Sequence, residues 1–291
     1  MDAAGKKTMN ISISNAIQEG ARVLHEAGVA EARRESGSLA AHAIRRDRTF
    51  VVTHAEEPLE SAAIDAFRKL IDRRAAGEPL QYLTGHQEFF KLDFEVTPDV
   101  LIPRPETELI VEIALELLKD DLDPFIADIG TGSGCVVISL LHELRDARAI
   151  ATDISAAALC VAQRNADRHS VNDRLILLES EGFSAVDRLG PFALIASNPP
   201  YLSDDELKDL QREVRQEPRA ALAAGTDGLS VIRRLLSEAP RFLRRGGYFV
   251  FEIGFGQSSA VEQLIDRRVW DLLEIREDLQ GIPRTFVLHK K

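Results

Sequence analysis

A short apolar strand, a glycine-rich loop and a helix follow one another in the middle of the chain, and this order constrains the fold more than any other feature. The strand is Phe125-Ile126-Ala127-Asp128-Ile129, the loop is Gly130-Thr131-Gly132-Ser133-Gly134, and the helix runs from Cys135 to about Leu144. Glycines let a ligand approach backbone N–H groups at the positive end of a helix dipole. The segment therefore predicts an α/β domain with a ligand site beside this loop.

The strands that follow indicate which ligand the loop serves. A dinucleotide fingerprint would place glycine at position 135, where this chain has Cys135. The next strand, Ala149–Thr152, ends in Asp153, whose carboxylate is placed to accept both hydroxyls of a ribose, and Ser155 caps the following helix. Together these features favour a nucleoside-containing cofactor.

A third strand, Leu175–Leu178, leads to Glu181, Gly182 and Phe183. The adenine ring of a nucleoside usually lies at this point of such domains, so Glu181 would accept from its amino group while Phe183 packs nearby. The alternative is a solvated acidic turn with a core phenylalanine.

The motif Asn198-Pro199-Pro200-Tyr201 follows the apolar strand Phe192–Ala196. Two prolines end the strand and leave carbonyl groups free. The Asn198 side-chain oxygen and the Pro199 carbonyl offer two acceptors, and Tyr201 adds a flat face. Such a turn can grip a planar group with two N–H donors, although an isolated motif of this kind is also typical of a structural Asx turn.

Asn198–Tyr201 resembles the catalytic signature of methyltransferases that modify planar nitrogens of adenine, cytosine or glutamine with S-adenosylmethionine. Four further segments extend the resemblance over nearly the whole chain: Pro103–Glu108, the glycine loop, Glu217-Pro218-Arg219 and Gly281-Ile282-Pro283-Arg284. In this order they resemble the HemK/PrmC family of release factor glutamine methyltransferases. Where that family often has aspartate and an aromatic residue, this chain has Glu181 and Gly182.

The resemblance implies a fold, an activity and a site. The fold is a class I S-adenosylmethionine-dependent methyltransferase, with a Rossmann-like, seven-stranded, doubly wound sheet whose last strand is antiparallel, and with a small N-terminal helical bundle. The activity is methylation of the side-chain nitrogen of glutamine in the Gly-Gly-Gln motif of class I peptide chain release factors. The implied catalytic residues are Asn198, Pro199, Pro200 and Tyr201, without a metal. The implied cofactor residues are Asp128, Gly130, Thr131, Gly132, Ser133, Gly134, Asp153, Glu181, Gly182, Phe183 and Asn198.

Two residues keep alternative roles at this point. Asp128 either contacts the methionine amino group of the cofactor or holds the glycine loop through backbone hydrogen bonds. Arg104, held stiffly between prolines, either meets a carboxylate of the cofactor or the partner, or has no role in the site.

The hydrophobic pattern predicts three segments. Residues 1–78 form a helical domain that docks the substrate, residues 79–104 form a linker with a hairpin, and residues 105–291 form the methyltransferase domain. Within the first segment, Ile64, Phe67 and Ile71 fall on one helix face, and Ser12 or Ser14 caps the first helix.

Composition restricts the partner and the compartment. The net charge of -11 argues against stable binding to nucleic acid and favours a protein partner. Cys135 and Cys160 have no metal-ligand spacing, so we expect reduced core residues of a cytoplasmic protein. Residues 1–10 lack an apolar signal region, and no apolar run approaches the ~20 residues that cross a bilayer, so no membrane contact is expected.

Two other functions fit parts of the pattern. A nucleic-acid adenine methyltransferase would use the same four motif residues but would be expected to carry a basic face. A non-catalytic module would sense the cofactor in the crevice and bind a partner through the helical domain.

Overall fold

The computed structural model describes residues 11–187 and 189–291. The chain divides into two compact units, one comprising the residues up to Gly85 with Arg212–Gln216, the other comprising His86–Gln211 with Glu217–Lys291. Within the predicted linker, residues 79–104, residues 79–85 fall in the first unit and the hairpin falls in the second. In the described ranges, no helix has the length and apolar character that a bilayer span requires.

The first unit is helical. Its helices are α1 (Ile13–Glu26), α2 (Ala32–Ile44), α3 (Arg48–Thr53), α4 (Ser61–Ala75) and α5 (Leu80–Thr84). Ser12 caps α1 by accepting from the Asn15 N–H at 3.3 Å, as the sequence predicts. A Cβ at Gly20 would lie 2.6 Å from the Ser36 Oγ, so glycine is what allows α1 and α2 to pack this closely. Leu24, Leu39 and Phe67 fill the core between these helices.

The first unit also contains a buried cation. Arg74 of α4 is 6% exposed and donates to Glu35 of α2 and, at 2.9 Å, to Glu213. An unpaired charge is costly to bury, so Arg74 requires these carboxylate partners. Its pair with Glu213 holds the segment Arg212–Gln216 in this unit.

The second unit opens with a tight hairpin, β1 (His86–Phe89) and β2 (Leu92–Glu95). Phe90 and Lys91 form its turn with φ of 48° and 62°, the left-handed conformation that a two-residue hairpin turn needs. The alternating, aromatic-rich pattern from Tyr82 to Thr97 predicts a hairpin that begins at Tyr82, but residues 80–84 form the short helix α5.

A seven-stranded sheet forms the centre of the second unit. Its strands are β3 (Phe125–Ile129), β4 (Arg148–Asp153), β5 (Leu175–Glu179), β6 (Phe192–Ser197), β7 (Leu243–Glu252), β8 (Trp270–Glu277) and β9 (Pro283–Lys290). The spatial order is β5-β4-β3-β6-β7-β9-β8, and β9 runs antiparallel to both of its neighbours. The predicted doubly wound sheet with a final antiparallel strand is confirmed.

Helices cover both faces of the sheet. They are α6 (Glu108–Leu118), α7 (Cys135–Glu143), α8 (Ala156–Arg168), α9 (Ser230–Glu238) and α10 (Ser258–Leu264). One core layer packs α6 and α7 against the sheet, and the other packs α9 and α10 against the opposite face. The strand order reverses between β3 and β6, so the carboxyl ends of β3, β4 and β6 open onto one crevice.

Two local expectations are wrong. The glycine pair Gly246-Gly247 is typical of a helix end and predicts that the preceding amphipathic helix stops there, but α9 ends at Glu238 and both glycines lie inside β7. Pro240 stops the helix in a 3₁₀ turn, and Leu243 then pairs with Phe192 of β6. Cys160 is exposed rather than part of the core, whereas Cys135 is buried as expected.

Candidate active site

The glycine loop begins the site at the end of β3. Gly130, Gly132 and Gly134 have φ of 79°, 55° and 82°, a region that side chains disfavour. A Cβ at Gly130 or Gly132 would meet no atom within 4 Å, whereas one at Gly134 would lie 2.7 Å from the Ile138 side chain. The first two glycines therefore leave room for a ligand, and the third allows close packing of α7.

Asp128 lies under this loop and is 2% exposed. Thr131 Oγ1 donates to its carboxylate at 2.7 Å, so Asp128 helps to hold the loop. Burial raises the pKa of Asp128 to about 7, and the nearby Asp153 charge adds to this effect. A buried carboxylate of this kind gains stability from a cationic ligand.

Asp153 ends β4 on the opposite side of the loop. Its Oδ2 accepts from the Gly132 N–H at 2.8 Å, and its Oδ1 accepts from the Ser155 N–H at 2.9 Å. Burial raises the pKa of Asp153 despite these hydrogen bonds. Each oxygen keeps a second lone pair, which is what two neighbouring ribose hydroxyls require.

Asn165 of α8 joins three parts of this region and was missed from the sequence. Its Nδ2 donates to the Ser133 carbonyl at 2.9 Å and to the Glu95 carbonyl at 3.0 Å, while its Oδ1 accepts from the Glu95 N–H at 2.7 Å. Because Asn165 is fully buried, these bonds tie the glycine loop to the hairpin. No local sequence signal marks this residue.

The third predicted segment, residues 181–183, lies partly at the ligand cavity and partly in the core. Glu181 and Gly182 line the ligand cavity described below, and Arg234 of α9 donates to the Glu181 carbonyl at 3.0 Å and pairs with its carboxylate. Phe183 is not among the described residues that line the cavity. Its ring is 2% exposed and stacks on Phe242 at 4.7 Å between centroids, inside the core.

The proline motif follows β6 and enters the same crevice. Asn198, Pro199 and Pro200 line the cavity. The Asn198 Nδ2 donates to Thr107 Oγ1 at 2.9 Å, and Thr107 Oγ1 donates to Glu252 Oε2 at 2.6 Å. Neither Thr107 nor Glu252 was among the residues selected from the sequence.

Tyr201 is not among the described residues that line the cavity, unlike the other three residues of its motif. Its hydroxyl donates to Glu252 Oε1 at 3.4 Å, and its ring lies beside Gly254. Burial, followed by the neighbouring Glu252 charge, raises the pKa of the Tyr201 hydroxyl. Tyr201 is thus a neutral side chain whose hydroxyl bonds to Glu252.

One cavity of about 550 Å³ lies within the second unit. Its lining includes Asp128, residues 130–133 of the glycine loop, Asp153, Glu181, Gly182, Asn198, Pro199 and Pro200. A volume of this size is typical of sites for small ligands and cofactors. The sequence analysis missed much of its wall: Val100, Leu101, Pro103, Thr107, Pro218, Ala220, Ala221, Ala223, Val231 and Leu235. Among the described residues, no group of three or more histidine, cysteine, aspartate and glutamate side chains is placed to hold a metal ion.

An ion pair holds the loop that forms part of this wall. Arg104 pairs with the buried Glu217, and Glu217 Oε2 also accepts from the Ile102 N–H at 3.1 Å. Arg104 therefore contacts a carboxylate of its own chain, not one of the cofactor or partner as the sequence analysis considered. Pro218, which follows Glu217, is thereby held against the cavity.

Comparisons with known proteins identify the family. Residues 15–85 match the PrmC N-terminal domain, and residues 109–227 match the methyltransferase small domain. A release factor glutamine methyltransferase from Moorella thermoacetica is 47% identical over 97% of this chain and 99% of its own. One from Burkholderia pseudomallei is 44% identical over 84% of this chain and 88% of its own.

The chain belongs to the release factor glutamine methyltransferases. It is an enzyme that transfers a methyl group from S-adenosylmethionine to a glutamine of a release factor. The resemblance found in the sequence is therefore confirmed.

Solved structures show the same fold at lower identity. The hMettl16 catalytic domain, in complex with a MAT2A 3′UTR hairpin, aligns with a TM-score of 0.57 at 18% identity over 76% of this chain and 81% of its own. A methyltransferase from Pyrococcus furiosus aligns with a TM-score of 0.50 at 20% identity over 69% of this chain and 90% of its own.

The cavity suits the cofactor of this family. S-adenosylmethionine carries an ammonium group, a ribose diol and an adenine ring. The buried Asp128 carboxylate, the Asp153 carboxylate and the apolar side chains Val231 and Leu235 complement these three parts in kind.

Proposed function

We propose that the Asn198 Oδ1 and the Pro199 carbonyl accept the two side-chain amide hydrogens of the glutamine in the Gly-Gly-Gln motif of a class I peptide chain release factor. One observation carries this proposal. Asn198, Pro199 and Pro200 line the same cavity as the glycine loop and Asp153, so the two acceptors and the cofactor groups share one space.

The cofactor residues form the second part of the proposal. Asp128 would hold the ammonium group, Asp153 the ribose hydroxyls, and Glu181 with Gly182 the edge of the adenine. Backbone groups of Gly130, Thr131, Gly132, Ser133 and Gly134 would surround the remaining atoms, as the open space at Gly130 and Gly132 allows. When bound, S-adenosylmethionine supplies a methyl group on a positively charged sulfur.

Positioning is the main task of the protein in this reaction. An amide nitrogen is a poor nucleophile because its lone pair is delocalised into the carbonyl. Two acceptors on the amide hydrogens fix the plane of the group and stabilise positive charge that develops on nitrogen. Orientation of reacting groups can contribute up to ~7–11 kcal/mol to lowering a barrier. The nitrogen sheds its proton late, to water.

Tyr201 would act at the edge of the glutamine site formed by Asn198 and Pro199 rather than inside the cavity. Its hydroxyl is held by Glu252, which fixes the ring near the turn that follows Asn198. We assign it to the rim that receives the glutamine. The negative net charge of the chain and the family membership both support a protein substrate over a nucleic acid. We place the reaction in the cytoplasm, because release factors act in translation.

Mass spectrometry of the substrate tests this proposal. The enzyme and S-adenosylmethionine are incubated with a class I release factor, and the factor is then digested. We expect one added methyl group on the side chain of the glutamine in the Gly-Gly-Gln peptide. A release factor with alanine in place of this glutamine is the control and should stay unmodified. Methyl transfer to another residue, or to ribosomal RNA instead of the release factor, would contradict the proposal.

A further inference from the structure

A chain of hydrogen bonds connects Asn198 to two buried side chains, Thr107 and Glu252. Thr107 precedes α6 and Glu252 ends β7, and each is 2% exposed. Asn198 Nδ2 donates to Thr107 Oγ1 at 2.9 Å, and Thr107 Oγ1 donates to Glu252 Oε2 at 2.6 Å. The 2.6 Å distance is in the range of a hydroxyl bonded to an ionised carboxylate.

The number of available hydrogens sets the direction of each bond. A carboxylate has none, so the Thr107 hydroxyl must donate its single hydrogen to Glu252. Thr107 Oγ1 can then only accept from Asn198, which requires the NH2 group of the amide on that side. The Asn198 Oδ1, which has no side-chain or backbone partner among the described residues, is left for the substrate.

We propose that Thr107 and Glu252 are positioning residues that fix the Asn198 amide with its oxygen toward the glutamine of the substrate. This inference rests on the proposed role of Asn198. The two ends of an asparagine amide have nearly the same size, so packing alone does not distinguish them. An amide turned the other way would present NH2 to the NH2 group of the substrate and would not bind it productively.

Protonation of Glu252 would remove the preference for this orientation of the Asn198 amide. A protonated Glu252 could donate to Thr107, whose hydrogen would then be free to bond the Asn198 oxygen. Burial raises the pKa of Glu252 to about 7. The polar and charged groups that act on Glu252 are Thr107, Tyr201, Arg284, Glu106 and Cys135. We therefore expect kcat to fall as the pH drops below about 7.

Steady-state kinetics of three variants test the inference, with saturating S-adenosylmethionine and a class I release factor. Thr107→Val keeps the shape but removes the hydroxyl, and kcat should fall by about 10- to 100-fold. Thr107→Ser keeps the hydroxyl, and kcat should stay within about 3-fold of the wild type. Glu252→Gln can present either oxygen or NH2 to Thr107, so kcat should fall about 10-fold at pH 8 and lose its decline below pH 7.

Binding and folding measurements separate positioning from structural damage. The Kd for S-adenosylhomocysteine, measured by calorimetry, should change less than about 3-fold in each variant, because the Thr107 hydroxyl bonds to Asn198 and Glu252 and not to the glycine loop, Asp128 or Asp153. Thermal melts report folding directly. A wild-type kcat in Thr107→Val, an equal loss in Thr107→Val and Thr107→Ser, or an unchanged acid decline in Glu252→Gln would each overturn the inference.

The Asn198→Ala variant distinguishes this inference from the proposed function. If Asn198→Ala is inactive while Thr107→Val is fully active, the positioning role of Thr107 and Glu252 is wrong, and the binding of the glutamine amide by Asn198 stands. If Asn198→Ala is active, both the binding role of Asn198 and the positioning role of Thr107 and Glu252 are wrong.

Discussion

Single carboxyl groups determine much of the chemistry of this enzyme. Asp128 and Glu252 are both buried in the second unit, and burial raises the pKa of each to about 7. A charged carboxylate at either position costs stability in the free protein. Their position near the cavity is consistent with the general trade of stability for function at such sites.

Asp128→Asn should stabilise the free protein at alkaline pH. The unfolded carboxyl loses its proton near 3.8 and the folded one near 7, so the folded state holds more protons between these values and wild-type stability falls as pH rises through them. Asparagine carries no such cost. We expect the gain in Tm to be larger at pH 8 than at pH 5, by about 2–4 °C for each kcal/mol relieved.

Melting curves of the wild type and the variant at both pH values measure this difference. The exposed Asp173→Asn is the matched control and should change Tm little at either pH. Equal gains at pH 5 and pH 8, or a loss of stability at pH 8, would contradict the assigned effect of burial.

Some residues of the site could be found from the sequence and others could not. Asn198, Asp153 and the glycine loop follow directly after strands, so the rule that ligands bind at strand ends located them. Thr107 and Glu252 are 145 positions apart, and only the folded sheet brings them together. The strand-end rule also does not tell which way a side chain points, so it gave no sign that the Phe183 ring packs on Phe242 in the core.

At the scale of elements, the loop between β6 and α9 forms a wall of the cavity. Glu217 anchors it through the Arg104 guanidinium and the Ile102 N–H, and Pro218, Ala220 and Ala221 follow along the cavity. Backbone pairing holds the other end of this wall, where the Leu202 N–H donates to the Leu222 carbonyl at 2.9 Å and the Ala224 N–H donates to the Leu202 carbonyl at 2.8 Å. The loop is therefore held by the Glu217 contacts at one end and by backbone hydrogen bonds at the other.

Glu217→Ala should weaken cofactor binding. The substitution removes two hydrogen bonds, one of them to a charged group, and frees one end of this part of the cavity wall. We expect the Kd for S-adenosylhomocysteine to rise by about 10- to 100-fold, which corresponds to the ~1.5–3 kcal/mol of a charged hydrogen bond. Calorimetric titration measures it.

Glu262→Ala serves as the control for this experiment. Glu262 also pairs with an arginine, Arg267, but both side chains are about half exposed, and such pairs contribute little. Its Kd should equal the wild-type value. A wild-type Kd in Glu217→Ala would show that the ion pair does not support the cavity wall.

Elements with strong local signals were predicted, and those set by long-range pairing were not. The strand–loop–helix at Phe125–Glu143 follows from its own residues. Gly246-Gly247 resembles a helix stop, yet both glycines lie in β7 because Leu243 and Tyr248 pair with β6 across an irregular register. Such pairing depends on a strand about 50 residues away and has no local signature.

At the scale of the whole molecule, the fold class and the antiparallel last strand were predicted from the sequence, but the grouping of every segment was not. Residues 212–216 follow the proline motif along the chain but belong to the first unit. The buried Arg74 and Glu35 select Glu213 as a partner, and a single charged residue in a loop gives no hint of this.

The net charge of the chain leads to a prediction about nucleic acid. With a net charge of -11, the enzyme should bind RNA weakly, because non-specific binding depends on released counterions. We expect a Kd for a labelled single-stranded RNA weaker than about 100 µM at physiological salt, measured by fluorescence anisotropy. Micromolar binding with a steep salt dependence would contradict it, and methylation of the release factor in the same buffer controls for activity.

The central claim is that Asn198 grips the glutamine and leaves cofactor binding to the rest of the cavity. Single-turnover methyl transfer to a class I release factor, measured by mass spectrometry with wild type and Asn198→Ala, tests it most directly. We predict that Asn198→Ala loses transfer by about 100-fold or more while its Kd for S-adenosylhomocysteine stays within about 3-fold of the wild type. Methylation by Asn198→Ala at the wild-type rate would contradict the account.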